Sequence, residues 1–226
     1  MQAFTTLGAR LSSALPYLKK GGRVIDVGTD HAYLPIHLVQ QGISCHALAC
    51  DINEGPIRSA QENILAAGLS AQIGTRLTDG LHGTQDFDPD DILIFGMGGE
   101  LIARILSEAE WVKDPKIGLV LQPMSRVSVL RRYLAENGFE IVGESLTFED
   151  KIYQTIAARW SGVRYELSEL EAWVGAKNLS DRPPLFEAFV RHEIGVFESI
   201  IAGKSKSLHA DLTFETDMKQ KLEELL

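Results

Sequence analysis

Acids that stand where apolar strands should end are the first chemical signal in this sequence. The run Asp26-Val27-Gly28-Thr29-Asp30-His31 lies where a buried strand turns into a helix. In a doubly wound sheet such a turn sits at the carboxyl edge, where ligands bind, and Gly28 lets backbone approach a ligand with no Cβ in the way. Asp51, 25 residues after Asp26, ends a second apolar run next to Ile52. A carboxylate there can accept both hydroxyls of a ribose. Asp79 and Gly80 close a third run and offer a short acid for an adenine amino group. Phe95-Gly96-Met97-Gly98-Gly99 then leaves a floor almost free of side chains, able to hold a flat or extended ligand. Each piece alone has a plainer reading: helix caps for Asp26 and Asp30, turn chemistry for Asp51 and Asp79, a flexible loop for the glycines. Three strand-ending acids in successive units favour one nucleoside pocket made of Asp26, Gly28, Thr29, His31, Asp51, Ile52, Asp79, Gly80, Gly96, Met97 and Gly98.

Such a pocket needs a sheet to position it. From Arg23 to Arg159 β-branched runs alternate with helical patterns, the signature of βαβ units and a mostly parallel sheet. The strands fall at Val24–Gly28, His46–Ile52, Gln72–Thr78, Ile92–Gly96 and Gly118–Gln122. Helices are expected at Leu34–Gln41, Pro56–Ala67, Leu101–Glu108 and Val127–Asn137, three of them stopped by a following glycine. Two further runs, FEIVGESLTFED and KIYQTIAARW, are joined at Glu149–Asp150 with no room for a crossover helix, so they must pair antiparallel. This ending fits the class I methyltransferase sheet better than the all-parallel sheet of dinucleotide-binding dehydrogenases, whose GxGxxG is also missing. Ahead of the first strand, Leu7, Leu11, Leu15 and Leu18 trace an amphipathic helical leader expected to pack on the sheet edge.

Beyond Trp160 the pattern turns helical. A helix over Glu166–Lys177 leads to the breaker Asp181-Arg182-Pro183-Pro184. Leu185, Phe186, Phe189, Val190, Phe197, Ile200 and Ile201 then share one helical face, interrupted at Gly203 and Ser205. Leu208, Leu212, Met218, Leu222 and Leu225 repeat the theme, so two helices fold back as an antiparallel, coiled-coil-like hairpin. The fold class is therefore α/β, a Rossmann-like, mostly parallel sheet with an antiparallel terminal hairpin and a C-terminal helical hairpin. The domain boundaries are 1–160 and 161–226.

Charge and composition narrow the setting. The chain carries 14 basic against 19 acidic residues up to Trp160 and 8 against 12 beyond it, so neither part is a basic nucleic-acid coat. Any nucleic-acid contact requires cations gathered on one face. Candidate clusters are Lys19, Lys20 and Arg23; Arg126, Arg131 and Arg132; and Arg191, Lys204 and Lys206. No apolar run approaches the ~18 residues of a membrane span, and the amino terminus has no basic region ahead of an apolar stretch. Cys45 and Cys50 point to opposite faces of one strand and cannot bridge; with no CxxC or HxxxH spacing, no metal is expected. A reduced, cytoplasmic setting follows.

DVGTDHAYLP, the strand-ending Asp51, TDGL at Thr78–Leu81, FGMGG and the LQP of Leu121–Pro123 together resemble the bacterial tRNA (adenine22-N1)-methyltransferase family. The resemblance runs from the leader to the helical hairpin. It implies a class I catalytic domain, S-adenosyl-L-methionine as donor, and methyl transfer to N1 of an adenine in the D-arm region of tRNA; a monomer is expected. Two positions depart from the broad class I pattern: Asp30 replaces the usual second glycine of the first loop, and the fourth-strand motif lacks the Asn/Asp-Pro-Pro that serves exocyclic amines. The second departure agrees with a ring nitrogen as acceptor. Asp30 is the catalytic candidate, since its carboxylate could accept a hydrogen bond from the adenine N6 amino group; a helix cap or donor-binding role competes with this. His31, Tyr33, Met97 and Tyr153 offer flat or polarizable surfaces, although each is commonly a local or core group. A donor-binding module without catalysis, or the same chemistry on another RNA, a protein or a small molecule, is the alternative.

Overall fold

The computed structural model describes residues 7–205 and 211–226. Lys206 and Leu208 lie outside the described residues.

Seven strands form one sheet: β1 (Gly22–Val27), β2 (Ser44–Asp51), β3 (Ile73–Leu77), β4 (Asp91–Met97), β5 (Gly118–Pro123), β6 (Phe139–Phe148) and β7 (Ile152–Trp160). Their order is β3-β2-β1-β4-β5-β7-β6. β1 to β5 run parallel, while β7 is antiparallel to both β5 and β6. The expected α/β class and the antiparallel ending are borne out. Reversal of order beside β1 creates a switch point between β1 and β4, where the loops leave the rim in opposite directions and open a crevice.

Alternation along the strands explains why both faces are covered. Ile25, Val27, Ile92, Ile94, Leu119 and Leu121 point to one face and are buried under α4 (Gly99–Ser107) and α5 (Val127–Glu136). Val24, Leu93, Phe95 and Val120 point to the other. On that second face, α2 (Tyr33–Gln40) and α3 (Glu54–Ala66) cover β1 to β3. That leaves β4 and β5 to the leader, and here two expectations need correction. The leader is a four-residue helix, α1 (Ala9–Ser12), followed by a 3₁₀ turn at Leu15–Tyr17. It packs on the sheet face around Leu93, Phe95 and Val120 rather than on the edge. Pro16 in that turn and the need to lay several leucines on a flat surface outweigh a continuous helix.

The helix expected over Glu166–Lys177 is two helices, α6 (Glu169–Val174) and α7 (Ala176–Asp181). They meet at Gly175, whose φ is +100° and whose missing Cβ leaves room for the Glu144 carboxylate; a Cβ there would stand 2.3 Å from Oε2. Ser168 and Glu171 form a reciprocal cap that starts α6. α8 (Phe186–Lys204) and α9 (Thr213–Glu223) follow and pack together through Phe197, Met218 and Leu222. The same core takes in Leu146 of β6 and is flanked by Ile152 of β7, so the far end of the strand hairpin is built into the helical part.

A buried ion pair joins the two parts. Arg131 and Glu144 are fully buried, with Nε to Oε1 at 2.7 Å. Arg131 also donates to the carbonyls of Ala172, Trp173 and Val174 and to Gln154, and Glu144 Oε2 accepts the Lys177 backbone N–H. Every remaining donor of consequence finds an acceptor, the condition under which a buried pair is tolerated. Arg131 is thereby removed from the surface cations proposed to contact RNA.

Candidate active site

The carboxyl ends of β1 to β4 enclose a cavity of about 310 Å³. Gly28, Asp51, Ile52, Asp79, Gly80, Gly96 and Met97 line it, which brings together most of the pocket read from the sequence. Gly28 takes φ +81° and its backbone N–H, like that of Thr29, donates to the Cys50 carbonyl at 2.9 Å. This turns the chain sharply beneath the cavity. A Cβ on Gly28 would approach Met97 Cε to 2.4 Å. The left-handed φ, more than the movable Met97 methyl, is what calls for glycine at this point of the cradle.

Asp51 ends β2 with its side chain toward the cavity. Oδ1 accepts both the backbone N–H and the side-chain amide of Asn53, at 2.8 and 3.2 Å. Oδ2 has no protein donor among the described residues, so it is available to a hydroxyl pair. Across the cavity, Asp79 Oδ1 lies 3.3 Å from Arg104 Nη2. Phe95, which opens the glycine motif, also lines the space, as do Arg104, Asn53 and Leu101, which were not singled out in the sequence. Arg104 sits three residues beyond Leu101 on α4, a helical spacing after the glycine loop that could have pointed to it.

Four residues of the sequence-derived set stand elsewhere. Asp26 is buried beneath the loop, and that burial pushes its carboxyl up to about 6, with the Thr29 hydroxyl opposing and the Asp51 charge adding to the rise. Thr29 is likewise buried. Gly98 caps α4 beside Ser125, and Gly99 packs where a Cβ would meet the Arg126 carbonyl at 2.3 Å, so this glycine pair joins two loops rather than flooring the cavity. His31 stands outside the cavity lining, its ring 5.1 Å from that of Tyr33 and its Nε2 3.2 Å from Asp30 Oδ2. The catalytic candidate Asp30 is also outside that lining, with a side chain 77% exposed. It caps no helix: the cap of α2 is Ala32, with no side-chain bond and φ +56°.

Next along the rim, a second cavity of about 470 Å³ opens between the loop at 123–128, the start of β7 and helix α8. Met124, Arg126, Lys151, Tyr153, Trp173 and His192 line it. The two cavities share a wall, because Met124 donates its N–H to the Met97 carbonyl at 2.8 Å. Glu193 in the second cavity accepts the Trp173 indole N–H at 2.6 Å, and burial raises its carboxyl above the ordinary range.

The cations sort by place. Lys19 and Arg23 stand at the amino end of β1, about 20 Å of strand from the rim, and are engaged by Asp90 and by the Phe87 ring and carbonyl. Arg132 pairs with Glu169 and Lys204 with Glu215. Arg126 and Arg191 remain well exposed, the first beside the second cavity. Among the described residues no helix is long and apolar enough to cross a membrane, and no group of three or more metal-ligating side chains is found.

A parallel sheet with a switch-point crevice, acidic strand ends and an antiparallel final hairpin defines a class I, Rossmann-like nucleoside-binding fold. Residues 7–156 match the family model described as a methyltransferase domain, and the chain belongs to that family. It is 35% identical to the tRNA (adenine(22)-N(1))-methyltransferase of Bacillus subtilis (strain 168) over 153 residues, 67% of this chain and 64% of that protein. The aligned stretch thus spans just under two thirds of that relative. A Streptococcus agalactiae protein of the NADB-Rossmann superfamily superposes with a TM-score of 0.90 at 34% identity, with both chains covered whole. Streptococcus pneumoniae Sp1610, solved in complex with S-adenosyl-L-methionine, superposes with a TM-score of 0.86 at 33% identity, covering 98% of this chain and 100% of that one. The resemblance read from the motifs is borne out.

Proposed function

We propose that this chain transfers a methyl group from S-adenosyl-L-methionine to N1 of adenine 22 in the D-arm region of tRNA. The observation that carries the reading is the cavity at the β1/β4 switch point, where a side-chain-free turn at Gly28 faces a strand-ending carboxylate, Asp51, with one oxygen free. Its shape and donor set fit the nucleoside half of that donor: Asp51 for the ribose hydroxyls, Asp79 or its neighbours for the adenine edge, Gly28 and Gly96 for close backbone approach. When bound there, S-adenosyl-L-methionine supplies an electrophilic methyl on a sulfonium.

The chain's own work is alignment. Adenine N1 carries an in-plane lone pair and needs no proton removed, so rate comes from holding the base edge-on to the methyl with water excluded. Asp30, two residues beyond Gly28, exposed and outside the donor cavity's lining, is assigned to the base rather than to the donor. Accepting a hydrogen bond from the N6 amino group, it stabilises the positive charge that grows on the ring. Residues 1–160 act as the catalytic part, and residues 161–226 form an arm that, with Arg126 and Arg191, guides the RNA. The enzyme works in the cytoplasm as a monomer.

Incubation with labelled donor and unmodified tRNA, followed by nucleoside mass spectrometry, should yield 1-methyladenosine that disappears when adenine 22 is replaced. No 1-methyladenosine on any tRNA overturns the assignment. For Asp30→Ala, single-turnover transfer should slow about 10- to 100-fold with donor affinity unchanged; lost donor binding with intact transfer removes the role given to Asp30.

A further inference from the structure

The leader sends one side chain back into the rim. Arg10 Nη1 donates to Gln122 Oε1 at 3.2 Å, its guanidinium lies 5.7 Å from the centre of the Tyr153 ring, and a Cβ on Gly96 would come within 3.9 Å of Nη1. It therefore stands beside the wall between the donor cavity and the second cavity. Its placement is deliberate at both ends. The Arg10 backbone N–H is bound by Glu149 Oε2 at 2.8 Å, and the fully buried Gln122 is held in turn against the Pro123 carbonyl and Met124 sulfur. Lys151 brings a second cation to the same ring, 5.3 Å from its centre. The nearby acids have other partners, Glu149 the Arg10 main chain and Asp150 the Tyr153 hydroxyl at 2.7 Å. Arg104 and Arg126, the other arginines at the rim, pair with carboxylates, whereas neither Arg10 nor Lys151 makes an ion pair among the described residues.

A guanidinium held by a neutral amide and an aromatic ring keeps its remaining donors for a ligand. The reaction itself decides what kind. Methylation leaves the adenine ring cationic, so a guanidinium hydrogen-bonded to the base would oppose the transfer. The partner of Arg10 is instead an anion, and of the two at hand, the donor's own carboxylate and the phosphodiester that travels with the base, the second suits two cations gathered on the Tyr153 ring at the second cavity. We infer that Arg10, assisted by Lys151, is a positioning residue that clamps the phosphate flanking the target adenosine and so fixes how deeply the base enters the rim. This rests on the function proposed above.

The test uses the whole enzyme, a tRNA transcript and a transcript carrying a neutral methylphosphonate at the phosphate flanking adenine 22. Arg10→Ala should raise KM for tRNA about tenfold, leave donor affinity unchanged, and make the salt dependence of tRNA binding shallower by about one ionic contact. Arg10→Lys should recover part of the loss. The methylphosphonate should weaken wild type to the level of Arg10→Ala and weaken that variant no further. Additive losses from variant and methylphosphonate, an unchanged KM and salt slope, or an equal loss of donor affinity overturns the clamp while leaving the methyltransferase reading intact. Absence of transfer by the wild-type enzyme overturns both.

Discussion

Along the carboxyl rim, β1 to β4 end in backbone turns without side chains and in a carboxylate, Asp51, with an uncommitted oxygen. At the other side of the same sheet, β6 and β7 run into helices that bury Arg131 and Glu144 completely and use nearly every polar atom of the pair. Both regions gather charge, but they satisfy it in opposite ways. The ion pair is satisfied internally and holds two parts together. The donor rim leaves polar capacity open, and beneath it Asp26 is buried with a raised carboxyl pKa. At the rim the open oxygen marks where a ligand belongs, and around Arg131 the satisfied donors mark where the chain holds itself.

The sharpest break of this contrast is Arg131→Ala. It strands a buried carboxylate and frees the α6 carbonyls, so unfolding in denaturant should show a loss of about 3–5 kcal/mol. A loss under about 1 kcal/mol would mean that the helical part is held by its apolar core alone.

Asp26 offers the next largest effect, through pH. Its carboxyl binds a proton more tightly in the folded chain than in the unfolded one, where the ordinary value is 3.8. Folding therefore takes up a proton between about pH 4 and 6, and the stability this brings is present at low pH and fades as pH rises through about 6. Measured against Asp26→Asn, which lacks the titration, wild type should lose roughly 2 to 3 kcal/mol between pH 4 and 8. Parallel pH profiles for the two proteins would show that the site under the rim is better solvated than its burial implies.

Asp51→Asn keeps an oxygen for the Asn53 bonds but removes the charge offered to a ligand. Calorimetry should show donor affinity reduced about 10- to 100-fold, with the melting temperature of the free enzyme nearly unchanged. Equal binding by the variant would move the ribose away from this rim.

How much of this was legible beforehand depended on how local each feature is. The strands and the donor loops could be read because alternation and strand-ending acids repeat within a few residues. Asp51 and Gly28 needed only their own neighbourhood. The leader misled because Leu7, Leu11, Leu15 and Leu18 satisfy a helical period equally well when they lie as a broken segment on the face of β4 and β5. Gly175 looked like one weak residue inside a helix; its reason is Glu144, thirty-one residues earlier in the chain.

By itself the sequence determined the α/β order of elements, the antiparallel close of the sheet and the row of acids and glycines at its rim, since these follow from periodicity and residue type over short spans. Only the tertiary structure decided which charges face solvent. Arg131, drawn as a surface cation, is sealed in the join, and Arg10, part of a leader read only for its leucines, reaches the active rim. A side chain's charge is written in its residue, whereas the dielectric and the partners around it are set by segments far apart in the chain.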